Sequence, residues 1–132
     1  MKSFQKDLQK GKEDELIVLP IITKFFNREI KQLKEKYSKY DFEDEKYKYE
    51  LKSRNNNYNK FPTTLIPADK LVCKNIIFLF KFLDGLYYIE YDDYLFSSFS
   101  KSKFCREKRY GYNDKPKEYI FIPIDCLKKI EC

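Results

Sequence analysis

Residues 76–92 constrain the fold of this chain more than any other stretch. Two apolar runs, IIFLFKFL and LYYIEYD, flank the pair Asp84-Gly85. An Asp-Gly pair between two such runs is a strong signal for a two-residue hairpin turn. Large residues that alternate along a central hairpin are more often core than platforms for stacked bases. The stretch therefore predicts an antiparallel hairpin inside a sheet.

The N-terminal part has helical periodicity. From Glu13 to about Tyr37, apolar residues recur at helical spacing and charged residues occupy the other face. Pro20 lies inside this segment, and a proline removes one helical hydrogen bond and clashes with the preceding turn. We therefore expect a short helix, a kink and then a longer helix.

The remaining elements follow from local patterns in a chain of 132 residues, which is the size of one domain. Tyrosine-rich sequence of period two indicates strands, whereas Asn, Pro and Gly indicate turns. The predicted elements are strands at 37–54 and 119–125, loops at 55–62 and 98–118, a short helix late in 63–73, and a terminal turn or short helix at 126–130. The sequence thus predicts one α+β (α/β) domain over residues 1–132, with a mixed central sheet, an N-terminal kinked helix and a short second helix.

Composition excludes several kinds of site. The chain has no histidine, which removes the Ser-His-Asp and Cys-His mechanisms. Its four cysteines lack the CxxC spacing of a structural zinc site, so we expect reduced thiols. Carboxylates, lysines, tyrosines and a bound metal remain as candidate catalytic groups.

Charge and hydropathy bear on partners and location. The net charge of +6 favours a polyanion such as nucleic acid, although lysine-rich proteins often carry such a charge without one. No apolar run is long enough to span a bilayer, and the N-terminus lacks the apolar core of a signal peptide. We therefore expect a soluble intracellular protein without a membrane partner. The bias toward AT-rich codons suggests a large DNA virus as the source, in which case the location would be host cytoplasm or virion.

The triplet Glu50-Leu51-Lys52 is informative because it lies in a predicted strand. Chance alone supplies about two Glu-x-Lys triplets in this composition, and Glu29-Ile30-Lys31 is a second one in the predicted helix. Residues two apart share one face of a strand but not of a helix. In a strand, Glu50 and Lys52 therefore lie on the same polar face.

The preceding segment folds back as a partner strand if a tight turn forms around Glu45-Lys46. That turn sets Asp41 opposite Glu50 and sends Asp44 to the other face. The apolar face would then hold Tyr40, Phe42, Tyr49 and Leu51.

Two facing carboxylates repel each other unless a positive charge lies between them, and Mg²⁺ suits a set of oxygen ligands. Lys52 would orient or deprotonate an attacking water beside such an ion. In the alternative interpretation these residues are solvated charges on an exposed hairpin, with Asp41 and Glu50 each paired to a lysine such as Lys39 or Lys48.

The order of these residues resembles the PD-(D/E)XK nuclease superfamily, which has the restriction-endonuclease-like fold. The resemblance rests on a helix bearing Glu15 in its first turn, a strand ending in Asp41, and a strand with Glu50-Leu51-Lys52. It implies that Asp41, Glu50 and the Leu51 carbonyl bind Mg²⁺ or Mn²⁺, and that Lys52 is the catalytic lysine. Glu15 would be the helix-borne carboxylate beside the metal. Basic residues after the motif often contact phosphate in such proteins, which makes Arg54 and Lys70 nucleic-acid-binding candidates.

The function implied is hydrolysis of DNA phosphodiester bonds, with an endonuclease favoured over an exonuclease or junction resolvase. Tyr40 replaces the proline of the family motif, and the chain is close to the minimum size of the fold. Small members often act as a homodimer or within a larger assembly. Arg106 and Arg109 lie in a basic segment that either contacts the phosphate backbone or is a solvated loop. The alternative function is a catalytically silent nucleic-acid-binding or assembly protein on the same fold.

Overall fold

The computed structural model of the protein describes residues 4–34, 38–71, 74–104 and 116–131. Its helices are α1 (Phe4–Phe26) and α2 (Asp93–Ser97). Its strands are β1 (Lys31–Gln32), β2 (Phe42–Glu43), β3 (Lys48–Ser53), β4 (Thr63–Pro67), β5 (Ile76–Phe82), β6 (Gly85–Glu90), β7 (Ser100–Phe104), β8 (Lys117–Pro123) and β9 (Lys128–Lys129). Short 3-10 turns lie at Ala68–Lys70 and Ile124–Cys126.

The strands form two sheets. The larger sheet has the order β1-β2-β3-β5-β6-β9, and the smaller one has the order β4-β8-β7. Strands β3 and β5 run parallel, whereas the other neighbouring pairs described are antiparallel. The larger sheet is therefore mixed, and the predicted α+β class is confirmed.

The central hairpin is confirmed as the β5–β6 pair. Phe82 pairs with Gly85, so the two-residue loop is Leu83-Asp84 and not Asp84-Gly85. Gly85 is the first residue of β6 and lies close to the ring of Tyr87. A Cβ atom at position 85 would lie 3.3 Å from Cε1 of that ring.

Helix α1 is continuous through Pro20, in contrast to the predicted interruption. The proline lies on the exposed side of the helix, and the carbonyl that loses its partner belongs to Leu16, which is 63% exposed. Solvent can satisfy a carbonyl on that side, so one lost hydrogen bond does not end the helix. Further along, the hydroxyl of Thr23 donates to the Leu19 carbonyl oxygen (2.8 Å).

The ends of α1 also differ from the prediction. The helix begins before Glu13, so Glu15 lies near its middle and not in its first turn. It ends well before Tyr37, because Asn27 adopts a left-handed φ of 54°, a conformation that stops helices. The chain then enters β1, a strand in a segment predicted to be helical.

The larger sheet is buried on both faces. Alternate residues of β5 face opposite sides, since Phe78 belongs to one core cluster and Leu79 to the other. One cluster lies between this sheet and the smaller sheet, which contributes Ile66 and Ile122. The other cluster lies beneath α1, which contributes Val18 and Ile22. The expected core position of the hairpin is thereby confirmed.

Three further predictions need correction. The segment 63–73 forms strand β4 and a 3-10 turn in place of a short helix, because Thr64 and Ile66 alternate into the interior while β4 pairs with β8. The segment predicted as a loop at 98–118 contains β7 and the first residues of β8, and 105–115 lies outside the described residues. The terminal segment contains a 3-10 turn followed by β9, which pairs with β6.

Candidate functional site

The pairing of β2 with β3 determines which side chains meet. Phe42 pairs with Tyr49, and the tight turn at Glu45-Lys46 is closed by a hydrogen bond from the Asp44 N–H to the Tyr47 carbonyl oxygen (2.9 Å). The same register places residue 41 opposite residue 50. The predicted register is therefore present, although β2 begins after Asp41 and does not end at it.

The prediction that Tyr40 shares a face with Tyr49 is wrong. The Tyr40 side chain joins the core between the two sheets, whereas Phe42 and Tyr49 pack beneath α1. Tyr40 lies two residues before the start of β2, so strand alternation does not govern it. The hydroxyl of Tyr40 instead donates to the Lys70 carbonyl oxygen and links the segment to the smaller sheet.

Glu50 is a buried carboxylate, with only 4% of its surface exposed. It lies opposite Phe78 on the side of β3 that faces the smaller sheet. Lys48, offered as a partner in the solvated interpretation, pairs instead with Glu43. The interpretation of Glu50 as a solvated surface charge is therefore wrong, because the smaller sheet covers this face.

Two lysines from different elements approach the Glu50 carboxylate. The Lys52 Nζ lies 3.1 Å and the Lys70 Nζ 3.4 Å from Oε2. Lys70 follows β4 and also donates a hydrogen bond to the Lys39 carbonyl oxygen (2.7 Å). The site thus combines the β2–β3 hairpin with a residue contributed by the smaller sheet.

Asp41 is held beside the triplet by the main chain. The Leu51 N–H donates to its Oδ2 (2.8 Å). Burial raises the pKa of Asp41 to about 6, opposed by the Leu51 hydrogen bond and reinforced by the nearby Glu15 carboxylate. Lys52 and Lys70 lower the pKa by a smaller amount. A carboxylate in this position is stabilised by an added proton or an added cation.

Glu50 experiences the same environment. Burial raises its pKa, and the charge of Asp41 raises it further, while Lys52 and Lys70 act in the opposite direction. The repulsion between the two carboxylates shows that the register brings them into electrostatic contact.

Glu15 approaches this cluster from α1 and is fixed by a partner that sequence reasoning missed. The side-chain amide of Gln32 donates to Glu15 Oε1 (2.8 Å). Gln32 belongs to β1, within the segment predicted to be helical, so no signal in the sequence connected these two residues.

A second buried acid, Asp14, was also missed. It is 4% exposed, accepts a hydrogen bond from Ser53 Oγ (2.6 Å), and lies 3.7 Å from Lys81 Nζ. Its spacing of four and eight residues from Val18 and Ile22 places it on the apolar face of α1, which is the signal that could have found it.

The predicted phosphate-binding residues have different outcomes. Arg54 bridges the two sheets, donating from Nε to Thr64 Oγ1 (3.1 Å) and from Nη2 to the Leu65 carbonyl oxygen (2.7 Å). Lys70 belongs to the Glu50 cluster. Arg106 and Arg109 lie outside the described residues.

The oxygen atoms of this cluster suit a hard divalent cation that takes few of its ligands from the protein. Within 4–34, 38–71, 74–104 and 116–131, no group of three or more His, Cys, Asp or Glu side chains is arranged to hold a metal ion. The candidate ligands are two carboxylates and one main-chain carbonyl, and Mg²⁺ commonly takes only one or two protein carboxylates and keeps several waters. A cation bound here would neutralise Asp41 and Glu50, whose pKa values are both raised.

Replacing Asp41 by asparagine tests this electrostatic description. The folded protein binds a proton at Asp41 more readily than the unfolded chain does, so wild-type stability falls as pH rises from about 4 to about 6. We expect Asp41→Asn to raise the free energy of unfolding by up to about 3 kcal/mol at pH 7.5 and by less than about 1 kcal/mol at pH 4. Urea unfolding at both pH values measures this, with Asp69→Asn as an exposed control. An equal effect at both pH values would contradict the description.

Comparison with known proteins adds no relative: no family model, no curated protein and no solved structure matches the chain. In the part of the chain that the structure describes, no helix has the length and apolar character needed to cross a membrane.

Proposed function

We propose that this protein is a metal-dependent nuclease that hydrolyses DNA phosphodiester bonds, most simply as an endonuclease, on a restriction-endonuclease-like core. The observation that carries the proposal is the convergence of Asp41, Glu50 and Lys52 through the β2–β3 register, in a covered position and not at a solvated surface. The PD-(D/E)XK resemblance names the same three residues.

Each residue has a chemical task in this proposal. Asp41, Glu50 and the Leu51 carbonyl would hold Mg²⁺ or Mn²⁺, which supplies positive charge to the phosphate and lowers the pKa of bound water. Lys52 positions the attacking water and offsets charge that develops on the phosphate. Glu15, oriented by Gln32, would act beside the metal through a water.

The second candidate is a catalytically silent nucleic-acid-binding or assembly protein. The observation that favours it is the double pairing of Glu50, because Lys52 and Lys70 already neutralise this carboxylate without a metal. In that case the cluster would be a structural ion-pair network between the two sheets.

Cleavage assays separate these candidates. Circular single-stranded, circular duplex, nicked and branched DNA are incubated with the protein in Mg²⁺, in Mn²⁺ and in EDTA. We expect metal-dependent cleavage of at least one substrate, and a loss of at least about 100-fold in Glu50→Gln. Glu43→Gln is the matched control, because Glu43 lies in the same hairpin and pairs with Lys48 and Lys31 outside the site. Binding without cleavage of any substrate would favour the silent protein.

A further inference from the structure

A cavity of about 340 Å³ lies at the end of β3, just beyond the proposed catalytic residues. Its walls combine apolar and aromatic side chains with a few polar groups, which is the composition of a small-molecule site. Residues that define it are Arg54, Asn56, Phe61, Leu65, Phe82 and Ile124.

The loop that forms one wall is fixed in place by four hydrogen bonds. The Leu83 N–H donates to the Asn56 carbonyl oxygen (3.0 Å), and the Ile124 N–H donates to the Pro62 carbonyl oxygen (3.1 Å). Tyr58 donates from its N–H to the Asp84 carboxylate (2.8 Å) and from its hydroxyl to the Ile124 carbonyl oxygen (2.9 Å). The cavity is therefore preformed, although the Asn-rich sequence of its loop predicted only a turn.

The rim of the cavity combines an aromatic ring with positive charge. Phe61 is 52% exposed, which is unusual for a phenylalanine, and the Lys60 Nζ lies 5.6 Å from the centre of its ring. The Arg54 guanidinium, held by Thr64 and Leu65, lines the same cavity. An exposed ring flanked by cations is the arrangement with which proteins stack a base while attracting its phosphates.

The position of the cavity next to the proposed catalytic site favours a ligand that occupies the cavity and the catalytic site together. Arg54 follows Lys52 by two residues on the same side of the strand, and two strand residues extend about 7 Å. A phosphate beside Lys52 therefore places the adjoining nucleoside within reach of the cavity.

We propose that this cavity binds one unstacked nucleobase of a single-stranded or locally unpaired DNA segment, adjacent to the phosphate at the catalytic site. The inference rests on the proposed nuclease function and adds the substrate class to it. The cavity has room for a single base or nucleoside. A base inside a duplex is stacked and paired, so it must leave the stack before it can enter such a pocket. Phe61 supplies the stacking surface, and Asn56 and Arg54, which line the same cavity, are the polar residues available to the edges of the base.

Equilibrium binding in EDTA tests this without any cleavage. Fluorescence anisotropy measures the affinity of the protein for a labelled short oligothymidylate and for an abasic strand of the same length. We expect Phe61→Ala to weaken binding of the oligothymidylate about 5- to 150-fold, since stacking on one ring contributes about 1–3 kcal/mol. The abasic strand should bind Phe61→Ala and wild type equally, and Phe61→Tyr should restore affinity.

Salt dependence separates stacking from charge. Phe61→Ala should leave the slope of log affinity against log salt unchanged, whereas Lys60→Ala should reduce it by about one ion. The matched control is Tyr94→Ala, since Tyr94 is 89% exposed on α2 and does not line the cavity. Thymidine monophosphate is the competitor that tests a free nucleotide as the source of the base. Competition equal to that of the oligothymidylate would overturn the assignment to a DNA strand.

The outcomes are distinct from those of the cleavage assay. Equal affinity of Phe61→Ala and wild type for the oligothymidylate, or no binding of it at all, would overturn the base-binding assignment whatever the protein cleaves. Binding that depends on Phe61, with no cleavage of any DNA in Mg²⁺ or Mn²⁺, would support the cavity while refuting the nuclease.

Discussion

Lys52→Met is expected to lower the rate of Mg²⁺-dependent DNA cleavage by about 10²- to 10⁴-fold, the range typical of a lost proton-transfer or charge-stabilising group. The ammonium of Lys52 lies 3.1 Å from Glu50 and is only partly exposed, so its charge acts in an environment that screens it weakly. Methionine retains most of the side-chain volume and removes the charge. The measurement is the single-turnover rate on the preferred DNA substrate.

The chain offers a matched control in its other Glu-x-Lys triplet. Lys31 has a side chain that is 74% exposed and pairs with Glu43, so Lys31→Met removes the same charge outside the site. We expect Lys31→Met to keep cleavage within about threefold of wild type once DNA affinity is accounted for. Equal losses in both variants would show that the lysines act only through net charge.

Metal binding provides a second readout for Lys52→Met. Because the lysine competes for the Glu50 carboxylate, its removal should leave Mg²⁺ affinity unchanged or increase it, as measured by the metal-dependent shift in unfolding temperature. A loss of both cleavage and the metal-dependent shift would assign Lys52 to the binding of the metal and not to the reaction.

Asp44→Ala is expected to destabilise the protein by about 3 kcal/mol at pH 7, the largest loss of stability that we predict. The Asp44 side chain is 3% exposed and accepts hydrogen bonds from the N–H groups of Lys46 and Tyr47 (both 2.7 Å). It also accepts from the Tyr49 hydroxyl and from Arg28 Nε (2.7 Å). Alanine would leave the hydroxyl of the fully buried Tyr49 without its acceptor.

Urea unfolding measures this effect, and Glu45→Ala is the control from the same turn. Glu45 is exposed, so its replacement should change the free energy of unfolding by less than about 0.5 kcal/mol. An effect of Asp44→Ala below about 1 kcal/mol would show that the turn and the Tyr49 hydroxyl find other partners. The contrast with Asp41 is direct: removing the charge of Asp41 should stabilise the folded protein, whereas removing Asp44 should unfold it.

The hairpin register could be predicted because it depends on neighbours along the chain. Phe42 and Tyr49 require the apolar face, the turn at Glu45-Lys46 has even length, and parity then assigns Asp41 to Glu50 and Asp44 to the face of Tyr49. The same rule gave the wrong face for Tyr40, which lies two residues before the short strand β2. It also could not place the turn of the central hairpin, where the loop lies one residue earlier than predicted.

The surroundings of the site could not be predicted in this way. Lys70 reaches Glu50 only because β4 belongs to a second sheet, and Gln32 reaches Glu15 only because the helix ends at Phe26. The cavity beside Arg54 likewise depends on the packing of a loop against the turn at Leu83-Asp84. Each of these contacts joins segments that are distant along the chain. The residue pattern within one segment carries no information about which other segment it will contact.

The sequence by itself determined the central hairpin, the α+β class and the pairing of Asp41 with Glu50, because alternation along a strand is a local property that a few neighbours settle. Only the tertiary structure decided that Glu50 is buried and Asp41 half-buried. The smaller sheet covers the polar face of β3, and removal of water from two carboxylates raises their pKa values and makes them a candidate cation site in place of surface charges.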